Sequence, residues 1–553
     1  MKHSRHLIGG LARCVQAASL AFFWYLLLDA AWPLAEEWLP PDSFLRMDPL
    51  AALLAPLASR NWSTALAPGL AILALTLVAG RFFCGWLCPF GVTLTLARRL
   101  LWGPASPKKP NGSGGNGRNL KFFTLALMAS AAAMGVNDFF WGSPIPLITR
   151  FYALLVHPLL LMLSKIALAL GHTLIVALDM QTLQYLDVPA RRFDSLYFLL
   201  AFFCLLFWLE KHQPRFWCRN LCPAGALLAL FTLHPLFRRR VSGCAECGRC
   251  ARFCPMEAID PRGMGTRHGE CIVCCSCADV CPAGAVTFGP GTSTPPESSE
   301  IAGHLPALPS RRSFLGATGL GALLAGVQYS GAHSLLNADN RRVSPTYVRP
   351  PGAVPEPEFL ALCLRCGECM KACPSNALQP VWLTAGPEGI FSPVITPRCG
   401  PCEPDCHACG RVCPTQAIRA LPLEEKRWAR VGTAVVLQNI CLAWAQGRAC
   451  VVCQEVCPYG AVNLKKMEGR AAPVVNNTRC YGCGYCERHC PALMPAIVVE
   501  PLNALRMKKG SYRQAAEAVG MDYTPFDAAG GEDAQTQTLP EDALDSLPPG
   551  FSQ

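Results

Sequence analysis

Six runs of four cysteines account for 24 of the 32 cysteines in this 553-residue chain; each run sets three thiols close together and a fourth before proline. The most regular are Cys244-Cys247-Cys250-Cys254-Pro255, Cys363-Cys366-Cys369-Cys373-Pro374 and Cys480-Cys483-Cys486-Cys490-Pro491, all C-x2-C-x2-C-x3-C-P. Thiolate sulfur is the soft ligand that iron–sulfur clusters select, and two-residue gaps let one tight loop hold three corners of a cubane. This spacing is the ligand pattern of a [4Fe–4S] cluster, and its fourth cysteine usually reaches the neighbouring cluster, so runs work in pairs. Disulfide frameworks belong to small secreted domains, and zinc ribbons pair C-x2-C knuckles without a trailing C-x3-C-P. Six such runs point to electron transfer.

The other three runs depart from the pattern. Cys271-Cys274-Cys277-Cys281-Pro282 is regular but carries Cys275 as a spare thiol. Between Cys399 and Pro414 there are five candidates, with Cys409 and Cys413 in the third and fourth places. Cys402 and Cys406 are the expected partners there, with Cys399 the alternative to either. In the remaining run an eight-residue insert separates Cys441 from Cys450-Cys453-Cys457-Pro458. By the pairing rule Cys244, Cys247, Cys250 and Cys281 hold one cluster, and Cys271, Cys274, Cys277 and Cys254 the next. The pairing of the four later runs stays open. A covalent haem needs C-x-x-C-H, and Cys402 to Cys406-His407 is one residue too long, so no haem is expected.

Two shorter motifs, Cys84 to Cys88-Pro89 and Cys218 to Cys222-Pro223, share the form C-x3-C-P, each followed by a glycine, Gly91 and Gly225. A four-residue step places both thiols on one helix face. The repetition implies two related halves that bring four candidate redox thiols together, as a metal site or a dithiol relay; the plainer alternative is packing by small buried sulfurs. Packing also accounts for Cys14 and Cys204. His157 and His172 offer haem ligation or quinone contact, but lone histidines near an interface are more often neither, and that is the expectation. No catalytic residue is identified.

The elements that carry these motifs divide the chain. Hydrophobic residues make up 51% and charged residues 16%, an apolar balance for a soluble protein. The apolar residues concentrate before residue 240, with spans expected at about Leu7–Leu28, Leu66–Phe83, Phe122–Val136 and Leu196–Leu209, some short against the usual ~20 residues. Arginine and lysine precede the first span, fill the 98–121 loop and follow Leu209 as far as Arg238-Arg239-Arg240, whereas Glu36, Glu37, Asp42 and Asp48 follow the first span. The positive-inside rule then puts the N-terminus, that loop and residues from 211 onward in the cytoplasm. Two inside ends require an even number of crossings, so Phe151–Leu178 crosses either twice or not at all; an outer-face amphipathic or re-entrant segment is expected, giving four spans. The net charge of +11 is explained by this topology and needs no nucleic-acid partner.

The fold class expected is therefore multi-domain: an α-helical membrane domain of about four spans plus α+β bacterial-type 2[4Fe–4S] ferredoxin modules. The boundaries are 1–240 for the membrane domain, 241–289 for a cytoplasmic two-cluster ferredoxin and 290–309 for a Pro/Ser/Thr/Gly linker. Short strands are expected at Ala258–Asp260 and Ala285–Phe288. Ser310-Arg311-Arg312-Ser313-Phe314-Leu315, followed by a weakly apolar run, has the form of a twin-arginine (Tat) export signal. Residues 310–330 are its extent; no A-x-A site follows, so it is expected to stay as an anchor. A four-cluster domain at 345–505, periplasmic on this reading, and a disordered acidic tail at 510–553 complete the chain.

With these motifs in place, residues 1–290 resemble the NapH/MauN-type membrane ferredoxins: four spans, two C-x3-C-P motifs and two cytoplasmic clusters. Residues 310–500 resemble the NapG/MauM-type proteins, Tat-exported ferredoxins with four clusters and the same widened third run. The resemblance implies a fusion of the two, with six [4Fe–4S] clusters, a quinol donor and no flavin. It implies an inner-membrane, multi-pass electron carrier that passes electrons from the quinol pool to a periplasmic reductase of the nitrate-reductase type, or to a cytochrome, as one component of a quinol dehydrogenase. Two rivals are a copper or metal reductase assembling a respiratory oxidase, and a redox-sensing scaffold.

Overall fold

The computed structural model describes residues 2–33, 39–103, 116–137, 142–186, 188–189, 191–232, 235–290, 310–329, 347–382, 389–467 and 470–522. The predicted linker, apart from Pro290, lies outside them.

Residues before 235 form a helical bundle. Its main members are α1 (Lys2–Asp29), α2 (Pro49–Ser59), α3 (Ala67–Ala79), α4 (Pro89–Trp102), α5 (Leu120–Ala133), α6 (Pro144–Phe151), α7 (His157–Ala177), α8 (Leu196–His212) and α9 (Pro223–Phe231). Each expected span overlaps a helix, α1, α3, α5 or α8, but of these only α1 is long and apolar enough to cross a membrane. Proline at the first helical position starts α2, α4 and α9, where its missing N–H costs nothing. Asp48 caps α2 by accepting from the amides of Leu50 and Ala51. The bundle turns large apolar side chains outward as well as inward, among them Leu100, Leu163, Leu170 and Tyr197. Helices apolar on every side are not built to face water.

Two helices are long and apolar enough to cross a membrane, Gly10–Asp29 and Pro144–Thr173; Pro49–Ser59, Thr64–Ala79 and Leu120–Ala133 are apolar but shorter. The second long helix joins α6 to α7 through a π-turn at Tyr152–Val156. It contains most of Phe151–Leu178, the segment that charge counting set on the outer face.

The two cysteine-rich regions grip opposite ends of this bundle. At one end, Arg81 donates to the Gly269 carbonyl (2.9 Å), Trp86 to that of Val273 (2.9 Å), and Arg13 pairs with Asp279. At the other, Asn137 donates to the Ala361 carbonyl (2.6 Å), Arg150 to that of Arg365 (2.7 Å), and Gln379 to that of Arg192 (3.1 Å). Buried Lys371 satisfies the carbonyls of Leu27, Leu28 and Ala30 at the C-terminal end of α1, groups every helix leaves orphaned. Helix α1 thus runs from one cysteine-rich region to the other.

The first ferredoxin module opens at Phe237, four residues before the expected boundary. Strand β1 (Phe237–Val241) pairs antiparallel with β2 (Val286–Pro290), Arg239 opposite Phe288. The triple arginine, counted in the sequence as a cytoplasmic charge marker, is therefore a strand. Arg239 is buried and donates to Gly263 O and Thr266 Oγ1 (both 2.8 Å). The strand expected at Ala258–Asp260 reduces to one bridge between Ile259 and Thr266.

The twin-arginine segment is helix α10 (Arg311–Tyr329), and it packs along α5. Ala317, Gly321 and Ala325 recur every fourth residue; the two alanines are fully buried, and a Cβ on Gly321 would collide with Ser130 Oγ and the Leu127 carbonyl. Small residues at this spacing let helix backbones approach closely.

Among its described residues the C-terminal domain has three short antiparallel ribbons: β3 (Leu378–Pro380) with β4 (Pro393–Ile395), β5 (Thr433–Val436) with β8 (Ile497–Glu500), and β6 (Val462–Met467) with β7 (Arg470–Val475). The tail expected to be disordered from 510 is instead folded as far as the described residues go. Helix α11 (Tyr512–Ala518) buries Tyr512 under the Arg419 guanidinium, with Glu425 accepting from the Ser511 hydroxyl and the Tyr512 amide. Averaging acidic composition over the whole tail hid this one aromatic anchor. Residues 523–553 lie outside the described set.

Candidate metal centres

All 32 thiols are unpaired. In four regular runs the backbone turns into the left-handed region on both sides of the second cysteine: at Glu246 and Gly248, Val273 and Cys275, Arg365 and Gly367, Gly482 and Gly484. That double reversal wraps three thiols around one point. Cys275 occupies the position that glycine takes in the other three loops, which explains the spare thiol: it is a turn residue.

The fourth thiols cross over between runs. Cys250 faces Cys244 and Cys281, with Cys247 on the same loop, while Cys254 joins Cys271, Cys274 and Cys277. In the C-terminal domain Cys363, Cys366 and Cys369 share a nest with Cys413, and Cys402, Cys406 and Cys409 line a cavity with Cys373. Cys480, Cys483 and Cys486 meet Cys457, and Cys441, Cys450 and Cys453 line a second cavity with Cys490. Neighbouring runs therefore pair, first with second and third with fourth. Cys399 stands apart beside Asp194 and Arg488, which leaves Cys402 and Cys406 as the expected pair.

The chemistry of these nests suits a cluster. Among the described residues no three Cys, His, Asp or Glu side chains converge closely enough for a single ion; thiols at the corners of a cubane stand farther apart. Burial, then the neighbouring Cys274, pushes the Cys254 thiol up to about 11, and burial drives Cys413 up to about 11 as well. Thiols that resist ionising are made into ligands by a positively charged core, with release of their protons. Backbone amides already point at the sulfurs: Ala258 at Cys254 (3.3 Å), Ala461 at Cys457 (3.3 Å), Ala434 at Cys480 (3.3 Å) and Ala496 at Cys490 (3.4 Å). Such bonds stabilise negative charge on sulfur and set a cluster's potential.

The two C-x3-C-P motifs belong to a longer repeat. Arg81-Phe-Phe-Cys84-Gly-Trp-Leu-Cys88-Pro-Phe-Gly91 and Arg215-Phe-Trp-Cys218-Arg-Asn-Leu-Cys222-Pro-Ala-Gly225 share arginine, phenylalanine, both cysteines, leucine, proline and glycine at equal offsets. Each arginine crosses to the other half. Arg215 lies against Gly91 and donates to the Cys84 carbonyl (3.0 Å); Arg81 lies against Gly225, beside Cys222. The four thiols are close enough to act on one another electrostatically. Sequence reading missed both arginines, although their equal offset from the cysteines was there to be seen. It also missed Glu270, which Arg81 and Lys121 share inside the interface. Burial raises that carboxyl, but Lys121 and Arg81 outweigh it and hold it below the usual range. Cys14 and Cys204, expected to be packed, face outward. His157 is half-buried, and His172 is exposed.

A sequence family described as a 4Fe-4S binding domain matches residues 62–109 and 195–242, the two halves of this repeat. A 4Fe-4S dicluster domain matches 446–494, and another 4Fe-4S binding domain 360–379. Over 164 residues, 28% of this chain and 70% of the relative, the sequence is 40% identical to the methylamine utilization ferredoxin-type protein MauM of Methylophilus methylotrophus. The chain belongs to the MauM/NapG family of ferredoxin-type proteins. The ferredoxin-type protein NapG of Escherichia coli is 35% identical over 189 residues, 32% of this chain and 80% of the relative. MauM of Paracoccus denitrificans is 40% identical over 28% of this chain and 71% of its own length. No solved structure matches. This ferredoxin-type chain is an iron–sulfur electron-transfer protein.

Proposed function

We propose that the chain is a membrane-embedded electron wire that oxidises quinol and delivers electrons to a periplasmic reductase or cytochrome. It joins a NapH/MauN-like membrane half to a NapG/MauM-like half. The observation that carries this reading is the placement of thiol nests at both ends of one apolar bundle, with α1 running between them. On this reading the module end is cytoplasmic, α10 is the retained twin-arginine anchor, and the domain from 347 onward lies outside.

The six nests hold one [4Fe–4S] cluster each. Their ligands are Cys244, Cys247, Cys250 and Cys281; Cys271, Cys274, Cys277 and Cys254; Cys363, Cys366, Cys369 and Cys413; Cys402, Cys406, Cys409 and Cys373; Cys441, Cys450, Cys453 and Cys490; and Cys480, Cys483, Cys486 and Cys457. When bound, the clusters supply one-electron steps, so the two electrons of a quinol leave singly while its two protons go to solvent.

The chain orders the outer nests by contact. Gly367, between Cys366 and Cys369, packs on Leu154 of the bundle. Ser375 donates to Pro401 O (2.5 Å), tying the Cys363 and Cys402 loops. The Cys402 amide donates to Cys483 O (2.8 Å), bringing the Cys480 nest alongside. The nest with Cys490 comes last, beside the fully exposed Leu493.

The test is anaerobic reduction of the purified chain in detergent by a short-chain quinol. Bleaching of cluster absorbance with matching quinone formation is the expected result. Intact clusters that no quinol reduces, at any potential the clusters can accept, would refute quinol oxidation.

A further inference from the structure

We propose that Cys84, Cys88, Cys218 and Cys222 together hold one further iron–sulfur centre, shared between the two halves of the bundle. The inference rests on the reading that the other nests hold clusters, and it adds a site to the six.

Each matched segment alone is short of ligands. Residues 62–109 contain only Cys84 and Cys88, and residues 195–242 add only Cys218, Cys222 and the outward-facing Cys204. The fold makes up the deficit by placing the repeats face to face. Local construction repeats that of the other nests: each second cysteine precedes proline, and the Gly225 amide donates to Cys222 Sγ at 3.2 Å.

Charge distinguishes this from thiol packing. Arg81 is buried, Arg215 nearly so, and both reach across the four sulfurs' surroundings. Among the described residues the cations here outnumber the carboxylates: Arg81 and Lys121 share Glu270, Arg118 and Arg219 share Glu257, and buried Glu210, which accepts from the Arg215 amide, serves both Arg215 and Arg98. Arg81 Nε has no hydrogen-bond partner. Burying surplus cations is costly unless negative charge is brought to them. Four neutral thiols bring none, whereas a thiolate-ligated cubane carries roughly two to three negative charges.

Position gives the centre a use. Met256, Ala258 and Ile272 pack between Cys84 and Cys218 on one side and Cys254, Cys271 and Cys274 on the other. A Cβ on Gly85 would strike the Ile272 carbonyl, so glycine permits this approach. Toward the far end, Ser19 of α1 donates to Leu87 O (2.7 Å), next to Cys88, and Lys371 donates to Leu28 O (3.1 Å). From Ser19 to Leu28 is nine residues, roughly 14 Å of helix, under half of a hydrocarbon core about 30 Å thick. The four thiols thus lie inside the gap that separates the two sets of nests. A centre held by Cys84, Cys88, Cys218 and Cys222 would supply a one-electron relay between the two sets of nests, with no bond made or broken.

The test is native mass spectrometry with iron and sulfide analysis of the full chain, purified anaerobically in detergent. Wild type is expected to carry seven clusters, and the Cys84→Ser/Cys222→Ser double variant one fewer, about four irons and four sulfides. Cys14→Ser/Cys204→Ser, on α1 and α8 of the same bundle, is expected to lose none. Should the double variant fail to fold, the wild-type mass alone decides. Six clusters with these four thiols open to alkylation, or joined as disulfides, would overturn the proposal and leave the six-cluster reading standing. A chain free of iron would overturn both.

Discussion

At Cys275 the backbone adopts φ 59°, a conformation that costs a side-chain-bearing residue of order 1 kcal/mol and glycine almost nothing. Cys275→Gly is therefore expected to keep the full iron content and to raise the melting temperature slightly or leave it unchanged, measured by anaerobic thermal denaturation. Loss of iron in this variant would make the thiol a ligand after all. The Cys399 loop gives the complementary pair of variants. Cys399→Ser is expected to retain every cluster, whereas Cys413→Ser is expected to lose the one nearest the bundle, read as one missing EPR signal on stepwise reduction. The spacing of the runs was enough to name the nests, because ligand geometry is local to a few residues. It could not separate Cys399 from Cys402 and Cys406, because which thiol turns inward depends on a contact made 81 residues later, the Cys402 amide on Cys483 O.

The helix pair α5–α10 shows what local pattern leaves out. The twin arginines identify α10 from sequence, but the Ala317-Gly321-Ala325 stripe matters only because α5 offers Ser130 and Leu127 at the same height. Gly321→Leu is expected to force the pair apart, with overpacking costing about 1–3 kcal/mol. A cysteine pair placed across α5 and α10 would then lose its cross-linking in membranes, while the same pair beside Gly319→Leu, where space is open, would keep it. The triple arginine teaches a related lesson. Charge counting treats Arg238-Arg239-Arg240 as a marker of the cytoplasmic side, yet strand β1 puts Arg239 inward, onto Gly263 and Thr266. Its partner β2 lies about 50 residues away in the chain, beyond any local window.

At the scale of the whole molecule, the bundle joins two cysteine-rich ends through a few buried polar contacts. Lys371 is the deepest of these, holding three carbonyls of α1 while Arg191 donates to its own carbonyl. Lys371→Met is expected to loosen the C-terminal domain from the bundle and leave the module end untouched. Leaving a buried acceptor without its donor typically costs about 1–3 kcal/mol. Hydrogen exchange should rise at the end of α1 and at Asn137, with Trp86 and its neighbours unchanged; equal change at both ends would contradict this division. Composition and motif spacing made the two-ended plan legible. They did not fix the depth of the C-x3-C-P thiols, because depth along α1 is set by which side chain grips which carbonyl, as Ser19 does with Leu87.

The crossing of fourth cysteines has a consequence for how the chain matures. Cys413 completes a loop begun at Cys363, and Cys373 completes one begun at Cys402, so neither pocket is whole until both segments have been synthesised and folded on each other. The same holds for the runs beginning at Cys441 and Cys480, and for the two in the module. Filling should accordingly proceed in couples, and partly matured preparations should be rich in species differing by two clusters and poor in those differing by one.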